Sequence, residues 1–197
     1  METVNSSTHL EPKLDSLTGQ HVKLFPYARG YYPRDIIHRL WRLVEDEEAG
    51  KYLFHGRFGL TCETPVDTRA DLLEFSEMFS QASRSLMLIL RDTHKDVLAG
   101  FIWFDDIVPK FRATANVFIR RRYWGEPGRE AGRLALGYMF NTLGVQYVWC
   151  YTPWHTAESY ATAIGFKLHA SLEDYCLVEH AQLDIKILRI TKEEYNG

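Results

Sequence analysis

The chain has 197 residues, 46% apolar and 25% charged, which suits one soluble domain with a real core and excludes a disordered or fibrous protein. The formal net charge of -3 gives no overall basic field for nucleic acid or an acidic membrane, so the run Arg120–Arg122 needs a local explanation. No apolar stretch approaches the ~20 residues that span a bilayer, and the start METVNSSTHLEPKLDSLTGQ lacks the basic and apolar segments of a signal peptide.

Met1–Gly19 is polar and rich in Ser and Thr, and reads as an N-terminal arm ahead of a domain over 20–197. Such an arm is a candidate contact for a second copy or a larger assembly. His21–Tyr27 is a short strand with Val22, Leu24 and Phe25 as its inward residues. Tyr32-Pro33 opens a helix on which Ile37, Leu40, Trp41 and Val44 build one apolar stripe, with Glu45–Glu48 as its solvated end. Lys51–Glu63 reads as a loop, and Thr64-Pro65 starts a second helix with proline in its first turn.

Ser85–Arg91 and Val97–Phe104 are strong strands joined by the turn Asp92–Asp96, a hairpin. Ala113–Ile119 is the next strand. After it come Arg120–Arg122, Tyr123, Trp124, then Gly125 and Gly128 around Pro127, and a helical pattern from Arg129 to about Leu143. A glycine-bearing turn that feeds a helix start is a natural anion site, because the first amides have no partner in the helix and the dipole favours negative charge there. Val145–Tyr151 is a strand, and Thr156–Ile164 a short helix closed by Gly165. Two strands, near Tyr175–His180 and over Leu183–Ile190, finish the chain. The order predicts a mixed α/β (α+β) sheet in one domain, mostly antiparallel, with one βαβ unit around the glycine turn.

Cys62, Cys150 and Cys176 are odd in number, far apart and without ligand spacing, so reduced thiols in a cytoplasmic setting are expected. The eight histidines form no HxH or HxxxH pair, and no metal site is expected.

From about residue 20 to 195 the chain resembles the GNAT superfamily of acetyl-CoA-dependent N-acetyltransferases, most of all the branch that acetylates protein N-termini and small amines. VLAGFIWF is similar to that family's third strand, and YWGEPGREA to its Trp-Gly-x-Gly…Glu-Ala entry into the coenzyme-binding helix. IGF at Ile164–Phe166 is similar to the Gly-Phe that closes its fourth helix, and LDIKILRITKEEY, with Asp184, to its final strand and acidic-aromatic ending. The resemblance implies a GNAT-like sheet splayed between the fourth and fifth strands, here Ala113–Ile119 and Val145–Tyr151, with helices on both faces. It implies that Val117, Phe118 and Ile119 offer an edge to pantetheine, that Arg122, Gly125, Gly128 and Arg129 cradle the pyrophosphate, and that acetyl-CoA is a co-substrate for an amine.

Two departures from the pattern stand out. Pro127 falls where the family has a second small residue, and proline has no N–H to donate. The family's usual Asn and Tyr of the fourth helix fall at Trp154 and Ala161, with Tyr160 about a quarter-turn away and so expected to face elsewhere. The catalytic groups are therefore not identified by spacing. His155 is a candidate base, Asp105, Asp106 and Glu158 are candidate carboxylates for a cationic amine, and Tyr151 and Tyr160 could donate to a leaving thiolate. The ordinary alternatives are a loop histidine and surface charges, and for Trp124 a core or rim aromatic packed under the turn. The leading function is acetyl transfer to an amine. The alternative is a GNAT-fold protein without chemistry, serving as a binding or assembly module.

Overall fold

Leu86–Asp92 and Leu98–Val108, the apolar hairpin, lie at the centre of an eight-stranded sheet. The structure, a computed structural model, describes residues 16–27, 35–49, 76, 86–178 and 181–197. In chain order the strands are β1 (Leu17–Thr18), β2 (Val22–Pro26), β3 (Leu86–Asp92), β4 (Leu98–Val108), β5 (Arg112–Ile119), β6 (Tyr147–Thr152), β7 (Lys167–Val178) and β8 (Ala181–Thr191). They stand side by side as β1-β2-β3-β4-β5-β6-β8-β7. Every neighbouring pair is antiparallel except β5 and β6, which run parallel. The described helices are α1 (Ile36–Asp46), α2 (Glu126–Gly137, continued by a π turn over Tyr138–Thr142), α3 (His155–Ala163) and α4 (Lys192–Asn196).

The period-two alternation of the central strands makes two cores. Leu86, Leu88 and Leu90 of β3 face the α2 side with Ala131, Ala135 and Leu136, while Met87 and Ile89 face α1 with Phe101, Trp103 and Phe118. Helices therefore cover both faces, as the resemblance implies. In β2, Val22 and Leu24 are fully buried, whereas Phe25 is half-buried and carries Arg91 over its ring. On α1 the buried line is Ile36, Leu40 and Val44, with Ile37 and Trp41 flanking it. Leu40 and Val44 of the expected stripe are thus fully buried, and Ile36 rather than Ile37 supplies the first buried contact. Glu47 is not simply a solvated end either: its carboxylate accepts from Arg120 Nε at 3.2 Å and from the Arg121 amide at 3.3 Å. The expected helix opening at Tyr32-Pro33, the loop Lys51–Glu63 and the helix from Thr64-Pro65 lie outside the described residues.

The last two strands are longer than their apolar runs. β7 begins at Lys167, well before Tyr175, and register shifts near Leu168/Ala170 and Leu172/Cys176 break the alternation that would have marked it. Leu17 and Thr18 pair with Leu24 and Lys23, and Glu130 of α2 holds the turn between these strands. Its carboxylate accepts from the amides of Gln20 (2.6 Å), His21 (2.8 Å) and Val22 (3.2 Å). At the C-terminus, Thr191 and Glu194 form a reciprocal capping box on α4. Thr191→Ala removes one half of it and is expected to cost about 1 kcal/mol, read as a denaturation midpoint shift. No helix among the described residues is long and apolar enough to cross a membrane.

Candidate active site

The parallel pairing of β5 with β6 covers only Arg112–Tyr147, Ala113–Val148 and Thr114–Trp149. Beyond it, Ala115–Ile119 and Cys150–Thr152 run on unpaired with each other, so the sheet opens into a V. A cavity of about 680 Å³ fills the opening, within the ~300–1,000 Å³ usual for small-molecule sites. Its walls include Asn116–Ile119 of β5, Cys150–Thr152 of β6, Gly125, Gly128 and Arg129 at the start of α2, and His155 and Tyr160 of α3.

The turn that follows the splayed end of β5 is a 3-10 turn, Arg121–Tyr123, followed by Trp124 and Gly125. Gly125 caps α2 with φ +85°, ψ -137°, a backbone conformation open only to glycine at little cost. The helix starts at Glu126, three residues earlier than its apolar pattern suggests, and Pro127 sits in the first turn, where a missing N–H removes no helical bond. Its first bond runs from the Arg129 amide to the Gly125 carbonyl at 3.0 Å, so the amides of Gly125, Glu126 and Gly128 precede the ladder. Gly128 is needed for packing: a Cβ there would meet the Tyr123 carbonyl oxygen at 3.0 Å.

Of the seven residues expected at the coenzyme site, Val117, Phe118, Ile119, Gly125, Gly128 and Arg129 line this one cavity. Arg122 does not. Its guanidinium lies 5.0 Å from the ring centre of Tyr123 and borders a smaller cavity with His21, Asp92, His94 and Lys95. The tight turn exchanges the arginines, and Arg121 is the one on the main cavity's wall. Glu126 engages Arg129, at 3.9 Å, and Arg133. Trp124 is 55% exposed and caps the strand end, its indole N–H donating to the Ile119 carbonyl at 2.8 Å, rather than packing under the turn.

Tyr160 faces the cavity after all, because Gly128 and Gly132, four apart on α2, leave room for its ring. Its hydroxyl donates to the Gly128 carbonyl at 2.9 Å, and burial pushes its pKa well above the ordinary phenol value. Tyr160 thereby ties α3 to the turn, and its proton is committed. Tyr151, on the opposite arm of the V, lines the cavity with 37% exposure. Desolvation raises its pKa, partly offset by Arg112, so the phenol stays neutral near pH 7. Burial pushes the Cys150 thiol up to about 12, which makes it a wall rather than a nucleophile. His155 is exposed at the start of α3 on the cavity wall.

Asp105 sits where the V begins, opposite Thr114. One of its oxygens, Oδ2, accepts from the Trp103 indole at 3.0 Å and from Asn116 Nδ2 at 2.9 Å. Glu47 and Asn116, both on the cavity wall, were not singled out by the sequence. Asn116 left one signal, a polar side chain inside the apolar run ANVFI. Glu47 left none, since its partners lie more than seventy positions away.

No protein-family model matches the sequence, and no curated protein matches it. Solved structures do match. A probable GNAT-family acetyltransferase from Chromobacterium violaceum superposes with a TM-score of 0.71 at 16% identity, over 94% of this chain and 90% of that one. A GCN5-related N-acetyltransferase from Brucella melitensis gives 0.65 at 19% identity, over 94% and 82%. The spermidine N-acetyltransferase of Vibrio cholerae in complex with CoA and spermine gives 0.63 at 16% identity, over 88% and 98%. Sheet order, the single parallel pair and these superpositions agree: the chain has the fold of the GNAT acetyltransferases.

Proposed function

We propose that the protein is an acyl-CoA-dependent N-acyltransferase that moves an acetyl group from acetyl-CoA to an amine. The observation that carries this reading is the open V between β5 and β6, running from a helix N-terminus to the far side of the sheet. The pyrophosphate would take the amides of Gly125, Glu126 and Gly128, with Arg121 and Arg129 for charge. Pantetheine would lie along Val117–Ile119, with Trp124 moving off the Ile119 carbonyl to admit it. The neutral amine nitrogen then attacks the thioester carbonyl carbon. The C–N bond forms, the C–S bond breaks, the amine gives up one proton, and the sulfur leaves as thiolate or, protonated, as thiol. Most of the acceleration would come from holding the two reactants together and from N–H groups facing the carbonyl oxygen. A cytoplasmic setting, expected from the cysteines, belongs to the same reading.

Calorimetric titration with CoA tests it. Saturable binding is expected, and none at millimolar CoA would leave the assembly-module alternative. Glu126→Gln sharpens the test. That carboxylate stands beside the proposed pyrophosphate site and engages Arg129 and Arg133. Removing a like charge several ångströms from a dianion is worth roughly 1 kcal/mol near a surface, so CoA should bind about three- to tenfold more tightly. Unchanged or weaker binding would place the pyrophosphate elsewhere.

A further inference from the structure

We infer that the smaller cavity behind the coenzyme turn is a second anion site, which takes a phosphate dianion on Lys95 and Arg122. Two sources carry that chemistry, the 3′-phosphate of CoA and a separate phosphate-bearing molecule, and they differ in what they do to CoA binding. The site does not depend on the acyltransferase reading, because inorganic phosphate alone detects it.

The coenzyme turn is a partition. Arg121, Trp124, Gly125 and Gly128 line the main cavity, whereas Arg122, Tyr123 and Pro127 line the smaller one, and the two cavities share no residue. The other walls of the smaller cavity are His21, just ahead of β2, and Asp92, His94 and Lys95 at the β3–β4 turn. These three segments are clasped together before any ligand arrives. The Thr93 amide donates to the His21 carbonyl at 2.9 Å, and the Tyr123 hydroxyl to Asp92 Oδ2 at 3.1 Å. The opening measures about 310 Å³. At ~30 Å³ per water that is room for roughly ten waters, enough for a phosphate and the sugar-sized group that bears it.

The cations on this wall are unspent. Lys95 and Arg122 are exposed, and neither is ion-paired with an acid among the described residues. Arg122 lies 5.0 Å from the Tyr123 ring centre, which steadies its guanidinium and leaves the N–H groups to a ligand. The nearby acids are engaged. Asp92 accepts the amides of His94 and Lys95 on Oδ1, at 2.8 and 2.9 Å, and the Tyr123 hydroxyl on Oδ2. The Lys95 amide above all holds this carboxyl below the ordinary aspartate value. Asp96 is bound to Arg91, and Glu130 to the turn between β1 and β2. The wall therefore carries two cations against one committed carboxylate, with His21 and His94 adding ring N–H donors. The backbone adds little: the His94 and Lys95 amides are taken by Asp92, and Pro127 has no N–H. Recognition rests on side chains, and two separate cations favour a dianion over a singly charged carboxylate. Pro127 gains a reason here, since the residue of the first turn without an N–H is the one that faces away from the coenzyme.

Inorganic phosphate is the probe, titrated into the full chain in chloride buffer of matched ionic strength and followed by amide NMR shifts, so that screening stays constant. Wild type should saturate in the millimolar range, with shifts at His94, Lys95 and Tyr123. Lys95→Ala and Arg122→Ala should each weaken binding about three- to tenfold, Lys95→Glu should abolish it, and Lys95→Arg should restore most of it. Rescue by charge separates recognition from damage to the turn. CoA and dephospho-CoA, which lacks the 3′-phosphate, are then titrated into wild type and Lys95→Ala. If the coenzyme's own phosphate fills the cavity, Lys95→Ala weakens CoA several-fold and leaves dephospho-CoA unchanged, and inorganic phosphate competes with CoA. If a separate molecule fills it, the two coenzymes respond alike. Phosphate and CoA then bind together, each changing the other's Kd by the same factor. No saturable phosphate binding by wild type up to about 20 mM overturns the inference. So does binding that Lys95→Glu and Arg122→Ala leave unchanged, or shifts confined to the Gly125 and Glu126 amides. A wild type that binds phosphate but not CoA supports the site and overturns the acyltransferase reading instead.

Discussion

Gly100→Ala is expected to lower the stability of the fold by roughly 4–6 kcal/mol. Gly100 has φ +152°, a value side-chain-bearing residues rarely adopt, and a Cβ built there would lie 2.1 Å from the Phe118 carbonyl oxygen and 3.0 Å from the Ile119 Cα. Both are backbone atoms of β5, directly across the ladder from Gly100. No rotamer can relieve the clash; β4 and β5 would have to separate in the middle of the sheet. The site is already irregular, since Leu90 pairs with Gly100 but Arg91 with Leu98, leaving Ala99 as the extra residue of a bulge. Backbone strain alone costs about 1–3 kcal/mol, and the loss of local pairing and packing brings the total to roughly 4–6 kcal/mol, against about 5–15 kcal/mol of stability for a whole domain. Gly144→Ala is the control: its φ is also positive, +71°, but the nearest atom to a new Cβ is Lys110 Cγ at 3.8 Å. It should lose about 1–2 kcal/mol. Denaturant midpoints for the two variants give the comparison, and a Gly100→Ala loss no larger than that of Gly144→Ala would refute the account.

The same strand junction shows why much of the fold could be read from the sequence. β3 carries an unbroken apolar run, β4 and β5 are rich in β-branched and aromatic residues, and each expected strand overlaps the observed one along most of its length. Short helix α3 was also placed correctly, with Gly165 ending it at φ +106°. What failed to show was structure held by irregularity or by distant partners. The front of β7, KLHASLED, is polar and bulged, and carries no period to detect. The first turn of α2 was hidden because its sequence, EPG, looks like loop, although proline is at home there.

The candidate site divides along the same line. The glycines and the edge Val117–Ile119 came from the resemblance to the family's turn and strand, and all of them line the cavity. Arg122 was chosen over Arg121 on spacing alone, and a 3-10 turn at 3.0 residues per turn reverses which of two neighbours faces the cavity. Tyr160 was assigned elsewhere because helical counting ignores the groove that two small residues cut in the facing helix. Asn116 and Asp105 meet only through the pairing of β4 with β5, eleven positions apart, so no linear pattern announces them.

Glu130→Ala should unfasten the edge of the sheet from α2 and cost about 3–5 kcal/mol. One carboxylate takes three successive amides, those of Gln20, His21 and Val22. Each charge-assisted bond is worth roughly 1.5–3 kcal/mol, but the three share two oxygens and the Gln20 bond is exposed, so their sum overstates the loss. Fit argues the same way: a Cβ on Gly19 would lie 2.5 Å from the Glu130 carboxyl carbon, so the turn is closed tightly around this side chain. Glu130→Gln keeps the volume but turns an NH₂ toward a row of N–H groups, and should recover less than half of the loss. Gly19→Ala should be costly in wild type and nearly neutral in Glu130→Ala, because the clash disappears with the carboxylate. This coupling separates a specific clasp from general damage to α2. Amide exchange provides a local reading: protection at Gln20, His21 and Val22 should fall in Glu130→Ala while β3 and β4 keep theirs. Because Glu130 also anchors the first turns of α2, CoA should bind several-fold more weakly in the same variant. Full protection at the three amides, or additive effects of Gly19→Ala and Glu130→Ala, would show that the carboxylate does not hold the turn in solution.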